Sequence, residues 1–400
     1  MNILVLNCGS SSIKYQLFKI ENQHQVLAKG QVDRLGNTGS NIEQKVENKT
    51  PILIETEIND HLQGIDLILK LLTDQRHSVL TSLDEIDAVG HRLVHGGEEF
   101  SDTVIINNKV KAKIRELIDL APLHNPANIM GIEAMERLLP GKPQIGVFDT
   151  AFHQTMPEKA FLYGIPYKFY KKHHIRRYGF HGTSHKFVAE KACELLGWDI
   201  TQKKIITCHL GNGASITAID GGKSIETSMG FTPNYGLIMG TRSGVVDPGI
   251  IEYMMKKEQI SLNEMVQILN KKSGMYGLSD GLSSDMRDLA KAMIAGNKDA
   301  ERALEAYAHR VKHYIGAYVA QLNGLDLVVM TGGIGENNWK VRELCLSNLE
   351  FLGITIDKEK NKALKNHDTS ICSDCSKAQV MIIQTNEELV IAQETMKMIG

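Results

Sequence analysis

The sequence predicts an α/β fold built from two related halves. Apolar strand-like runs alternate with amphipathic helix patterns along the whole chain. A strand, a glycine turn and a second strand are read at 3–18 (ILVLNCGSSSIKYQLF). The same plan returns at 205–219 (IITCHLGNGASITAI), with Gly9 and Gly211 in equivalent places. Two such hairpins, one per half, are the mark of a duplicated domain.

Further elements follow in order. A helix at 184–196 is expected after the turn around His181. Ser261 and Glu264 form a capping-box pattern for a helix over 262–271. Residues 301–322 place Leu304, Tyr307, Val311, Tyr314, Tyr318 and Leu322 on one helical face, and Gly324 supplies a stop. LDLVVM then reads as a buried strand, as does VMII near residue 381. Thr385 and Glu388 pattern as a capping box opening the last helix. The segment 140–151 separates the halves and is the hinge expected from sequence.

Composition bounds the function. A chain of 400 residues with 42% hydrophobic and 23% charged residues has ample core for two to three domains. A net charge of −2 argues against nucleic acid as the main partner. No apolar run reaches the roughly 18–20 residues that span a bilayer, and MNILVLNCG reads as a strand rather than a signal peptide. The six scattered cysteines fit a reducing cytoplasm, and the Cys372–Cys375 pair reads as an exposed loop.

Three glycine-rich turns follow apolar strands: Asn7–Ser12, His209–Ser215 and Thr331–Asn337. Glycine lets the backbone approach a ligand and aim successive N–H groups at it, and phosphate oxygens are natural guests. None is a Walker A loop. AVGHRLVHGG (88–97) delivers Arg92, whose planar fork suits carboxylate or phosphate. A metal reading of His91, His95 and Glu98 competes there, without the helical spacing it needs. YGFHGTSH (178–185) places His181 where it can donate to a developing charge, with His185 read as structural. TRSG (241–244) adds Arg242. Asp149 ends an apolar strand, as a base, an orienting group or a cap. Glu387 opens the last helix, where it either complements the dipole or holds Mg²⁺ through water.

Together NCGSSSIK (7–14), GHRLVHGG (90–97), HLGNGAS (209–215), GTRSG (240–244), GGIGEN (332–337) and NEE (386–388) resemble the landmarks of the acetate kinase family, over the whole chain. The resemblance implies an actin-like (ribonuclease H-like) α/β fold with a duplicated core. Residues 1–150 would form one lobe, with 386–400 packing back on it. Residues 151–385 would form the other, carrying nucleotide binding and the homodimer contact. It implies reversible, direct in-line transfer between ATP and acetate, giving ADP and acetyl phosphate, with Mg²⁺ or Mn²⁺. Asn7 and Glu387 would place the metal, and Lys14 would lie near the phosphates. Arg92 and Arg242 would bind the carboxylate and the phosphoryl group, His181 would stabilise the transition state, and Asp149 would act as acid/base or orient. The nucleotide would lie along His209, Leu210, Gly211, Asn212 and Gly213, along Ser283, Ser284 and Asp285, and along Gly333, Ile334, Gly335, Glu336 and Asn337. Val94, Leu123, Phe180 and Pro233 would form the acyl pocket, beside His124. Gly332 and Met286 depart from the residues usual in the family.

A carboxylate acceptor is already ionised at neutral pH, so Asp149 is expected to orient more than to remove a proton. Propionate kinase is the nearest rival. A non-transferring actin-like nucleotide switch and a histidine metal hydrolase are the alternatives from other classes.

Overall fold

A computed structural model describes residues 1–21, 24–122, 124–363 and 368–400. The chain divides into two units, Met1–Ala151 with Asn386–Gly400, and Phe152–Thr385.

In the first unit the opening hairpin forms as expected. β1 (Asn2–Cys8) pairs antiparallel with β2 (Ser12–Ile20), which pairs with β3 (His24–Asp33). β4 (Asn41–Val46) and β5 (Ile52–Glu55) extend that edge. On the other side β6 (Ala88–Leu93) runs parallel to β1. β7 (Val104–Ile105) lies antiparallel to β8 (Gln144–Phe148), which is parallel to β6. The order is β5-β4-β3-β2-β1-β6-β8-β7. Strand alternation gives the sheet two apolar faces. Leu4 and Leu6 meet Ile65, Ile68 and Leu72 of the helix His61–Thr73. Ile3 and Val5 face the other way, onto Ile391 and Ala392 of the helix Glu387–Ile399.

The second unit repeats the plan. β9 (Lys204–Leu210), β10 (Ala214–Asp220) and β11 (Lys223–Thr227) form an antiparallel meander. β12 (Leu327–Thr331) runs parallel to β9. β13 (Thr369–Ser370) pairs antiparallel with β14 (Gln379–Ile382), itself parallel to β12. The order is β11-β10-β9-β12-β14-β13. Without the edge additions, β3-β2-β1-β6-β8 and β11-β10-β9-β12-β14 are one topology, so the duplication inferred from two hairpins extends through five strands. Val188 and Ala192 of the helix Gly182–Leu196 pack on Ile205, Ile219, Leu327 and Val329.

Several local expectations are corrected. The last helix is capped by Asn386, whose side chain accepts the Leu389 N–H at 3.0 Å, rather than by Thr385. GGIGEN is a short helix, Gly332–Asn337, not an open turn. Within the segment 140–151, Gln144–Phe148 forms β8, and the boundary between the two units falls at its end, between Ala151 and Phe152. The Ser261–Glu264 capping box is present, but its α-helix ends at Gln267 and continues as a π-helical turn over Ile268–Lys272. In the helix Lys298–Leu322, Tyr314 is half-buried and Ile315 is fully buried. Cys372 is buried, its sulfur accepting the Val380 N–H, while Cys375 is exposed.

Candidate active site

In each unit the chemistry-bearing residues gather at the carboxyl ends of the parallel strands, where α/β sheets bind ligands. In the first unit, Arg92 lies near the end of β6 and Asp149 directly follows β8. The strands pair Leu93 with Phe148, and the Asp149 N–H donates to the Leu93 carbonyl at 2.9 Å. That register sets the two side chains face to face. Arg92 donates from Nε to Oδ1 at 3.0 Å and from Nη2 to Oδ2 at 2.6 Å, a two-pronged pair. Glu387 Oε2 lies 3.6 Å from Arg92 Nε.

Burial works against the Arg92 charge, but Asp149 and Glu387 outweigh it and hold the guanidinium more firmly protonated than usual. Burial pushes the Asp149 carboxyl upward, and Arg92 pulls it back. Asn128, which sequence reasoning missed, ties two strand ends together. Its Oδ1 accepts the Val94 N–H at 3.1 Å and its Nδ2 donates to the Cys8 carbonyl at 2.9 Å. Only its reach across the fold distinguishes it, and no sequence pattern carries that. Asn7 and Lys14 are opposite one another in the hairpin, with Lys14 exposed. His124 occupies the position just before the helix Asn125–Leu138. Leu123 lies outside the described residues.

His91 is engaged by a buried amide. Its Nε2 meets Gln144 Oε1 at 2.7 Å, and burial lowers its pKa to about 4. Among the described residues no group of three or more His, Cys, Asp or Glu is arranged to hold a metal ion. A magnesium ion needs less, since it keeps several waters and binds through one or two carboxylates. Glu387 fits that role: among the described residues its carboxylate makes one long ion pair and no hydrogen bond.

In the second unit His181 stands just before the helix Gly182–Leu196 with a left-handed backbone, φ 57°. A buried histidine the sequence did not single out, His153, contacts the neighbouring carbonyl of Phe180 through Nε2 at 2.9 Å. Burial lowers its pKa to about 4, so it is neutral near pH 7 and donates from Nε2. The His181 ring stacks on that of His209, with centroids 4.3 Å apart and planes 23° apart. His209 is held in turn by the Ser184 hydroxyl, 2.8 Å from Nδ1.

The turn between β9 and β10 passes close by. A methyl group on Gly213 would stand 3.5 Å from both Arg242 Nη1 and His181 Nε2. Arg242 donates to the Pro233 carbonyl at 3.3 Å, and burial lowers its pKa.

A cavity of about 500 Å³ adjoins the same turn. It is lined by Gly211, Asn212, Ser284, Asp285, Gly333, Ile334 and Asn337, all expected, and by Met286, Arg287 and Asn338. Arg287 holds Asp285 at 2.6 Å, and Asn338 donates to the Met286 carbonyl at 3.2 Å. Other expected nucleotide residues do not line it. Leu210 is fully buried in the sheet, and Gly213 turns toward His181. Ser283 accepts the Asp285 N–H and shapes the turn. Gly335 lies under its helix, against β9 and β12. Glu336 points inward, accepting N–H groups from Gly332 and Thr385, both at 3.0 Å. A buried carboxylate needs such donors, so this one braces the end of β12.

A repeated α/β core with cations and a nucleotide-sized cavity at its strand ends defines a two-domain phosphotransferase as the class. The chain belongs to the Acetokinase family, whose model matches residues 2–393. An acetate kinase from Natranaerobius thermophilus is 53% identical over 400 residues, and one from Treponema denticola 54% over 399, each pair covered in full. The crystal structure of Porphyromonas gingivalis acetate kinase superposes with a TM-score of 0.96 at 47% identity over the whole of both chains. That of a propionate kinase from Francisella tularensis gives 0.91 at 44% identity over 99% of each.

Proposed function

We propose that the chain transfers the γ-phosphoryl group of ATP to acetate, reversibly, giving ADP and acetyl phosphate. The observation that carries this reading is the full-length identity of 53–54% to proteins named acetate kinase.

Charge explains the residue types. Phosphoryl transfer passes through a loose transition state with negative charge spread over the equatorial oxygens, so positioning and positive donors do most of the work. In this reading Arg242 and His181, flanking Gly213, stabilise the migrating group. The nucleotide occupies the cavity beside Asn212 and Ile334. Arg92 receives the carboxylate or phosphoryl oxygens on the edge that Asp149 leaves unused. Asp149, committed to Arg92 through both oxygens, orients that fork and removes no proton. Glu387, with Asn7, would hold Mg²⁺ through water, and the ion would offset phosphate charge when bound. Val94, Phe180 and Pro233 would face the acyl group, with His124 beside them. The protein would work in the cytoplasm as a homodimer. Among the described residues no helix is long and apolar enough to cross a membrane.

A coupled assay with acetate, propionate and butyrate tests the reading. Acetate should give the highest kcat/KM. The likeness to a propionate kinase keeps that acid as the second reading, since one methylene changes discrimination by only about 1–3 kcal/mol. A clear preference for propionate would replace the first reading with the second, and no acid-dependent ADP formation would remove both.

A further inference from the structure

Behind His181 runs a buried chain of side chains that phosphoryl transfer does not require directly. His181 Nδ1 lies 2.9 Å from Ser215 Oγ. The same hydroxyl lies 2.7 Å from His185 Nε2, and His185 Nδ1 lies 2.7 Å from Thr207 Oγ1. Ser215, His185 and Thr207 are fully buried. Burial, with His153 and His209 nearby, holds the His185 pKa well below its ordinary value, so its ring is neutral and carries one N–H.

A neutral ring between two hydroxyls allows two settings. In one, Thr207 donates to His185 Nδ1, His185 Nε2–H donates to Ser215, and Ser215 donates to His181 Nδ1. In the other every bond is reversed. The reversed setting leaves the Thr207 hydroxyl hydrogen with no acceptor, because among the described residues Thr207 Oγ1 meets only His185. A buried donor without an acceptor destabilises that arrangement.

We propose that Thr207, His185 and Ser215 act as positioning residues that present a hydroxyl hydrogen to His181 Nδ1 and so keep the ring proton on Nε2, the nitrogen that lies beside Gly213 with Arg242. This rests on the reading that His181 serves phosphoryl transfer. The consequence is a hydrogen-bond donor, fixed in advance, facing the migrating group. His209 stacks on the ring, and Arg242 lies on the same side of Gly213.

Long-range ¹H–¹⁵N spectra of protein labelled with ¹⁵N-histidine test this directly, with His181→Gln identifying the signal. The wild-type ring should show a protonated Nε2 and a bare Nδ1; a proton on Nδ1 overturns the proposal. Thr207→Val removes the bias and should give mixed tautomers, with kcat lowered about fivefold and the KM for acetate unchanged. Ser215→Ala should lower kcat about tenfold or more, again without moving KM. An unchanged spectrum and kcat in a folded Thr207→Val protein also refute the chain. If that variant does not fold, the wild-type spectrum still decides. Absence of acetate-dependent ADP formation in the wild type would instead remove the functional reading, and the spectrum would remain informative.

Discussion

The two units share five strands in one order, yet they hold their arginines in opposite ways. Arg92 is clasped by Asp149 through two short bonds and approached by Glu387, so its charge is reinforced and its plane fixed. Arg242 pairs with no carboxylate among the described residues. It leans on a carbonyl and on the Met239 sulfur, and burial weakens its hold on the proton. A clasped arginine gives geometry. An unclasped one gives unspent charge, which a migrating phosphoryl group can draw on.

The largest effect expected from this contrast is at Arg242. Arg242→Ala should lower kcat by about a hundredfold to a thousandfold, roughly 3–4 kcal/mol, in the coupled assay. Lysine at 242 should recover more of the lost rate than lysine at 92, where the fork and not the charge is lost. Equal recovery at both sites would erase the distinction.

Asp149→Asn sharpens it from the other side. Removing one member of a buried, charged pair should cost about 2–3 kcal/mol in urea unfolding, with kcat falling as Arg92 loses its fixed plane. Unchanged stability and rate would mean that the clasp does not matter.

Acidification compares the units again. His91 in the first unit and His153 in the second have folded pKa values lowered to about 4 by burial. Below about pH 6.5 the unfolded chain takes up protons that these folded sites refuse. Stability is therefore full above that pH and drains away as pH falls toward 4. Both tryptophans, Trp198 and Trp339, lie in the second unit, which also holds neutral His185. Their fluorescence should report unfolding in a lower urea concentration at pH 5 than at pH 7. His153→Gln should flatten that dependence.

Gly213→Ala should leave the fold intact, since the added methyl meets ordinary contact distances. It would nonetheless fill the ground shared by His181 and Arg242, lowering kcat/KM by about tenfold to a hundredfold. The smallest effect is Ser261→Ala, at the exposed start of the helix Leu262–Gln267. Loss of the capping box should cost about 1 kcal/mol and leave kcat unaltered.

What could be read in the chain was whatever repeats or alternates locally. The paired hairpins, the apolar run into β12 and the position of Asp149 after a strand all follow from short stretches of sequence. The start of the last helix was misread because Thr385 and Glu388 have the right spacing, while the Thr385 hydroxyl meets Ser184 at 2.7 Å and its N–H is claimed by Glu336. GGIGEN looked like a turn by composition, yet Gly332, at φ 76°, makes the sharp entry and a helix follows at once. Asn128 and His153 carried no local signal, and Ser215, though it closes the His209–Ser215 turn, carried none for its place behind His181. Their importance arises only when distant strands and helices place partners around them.

The helix Glu387–Ile399 belongs to the first unit although the second unit intervenes along the chain. The sheet face bearing Ile3, Val5, Phe18 and Ala88 is covered by Ile391 and Ala392, so it stays apolar and bare until residues 387–399 are present to pack on it. A chain cut short before residue 387 would therefore carry a sticky flank for chaperones to shield.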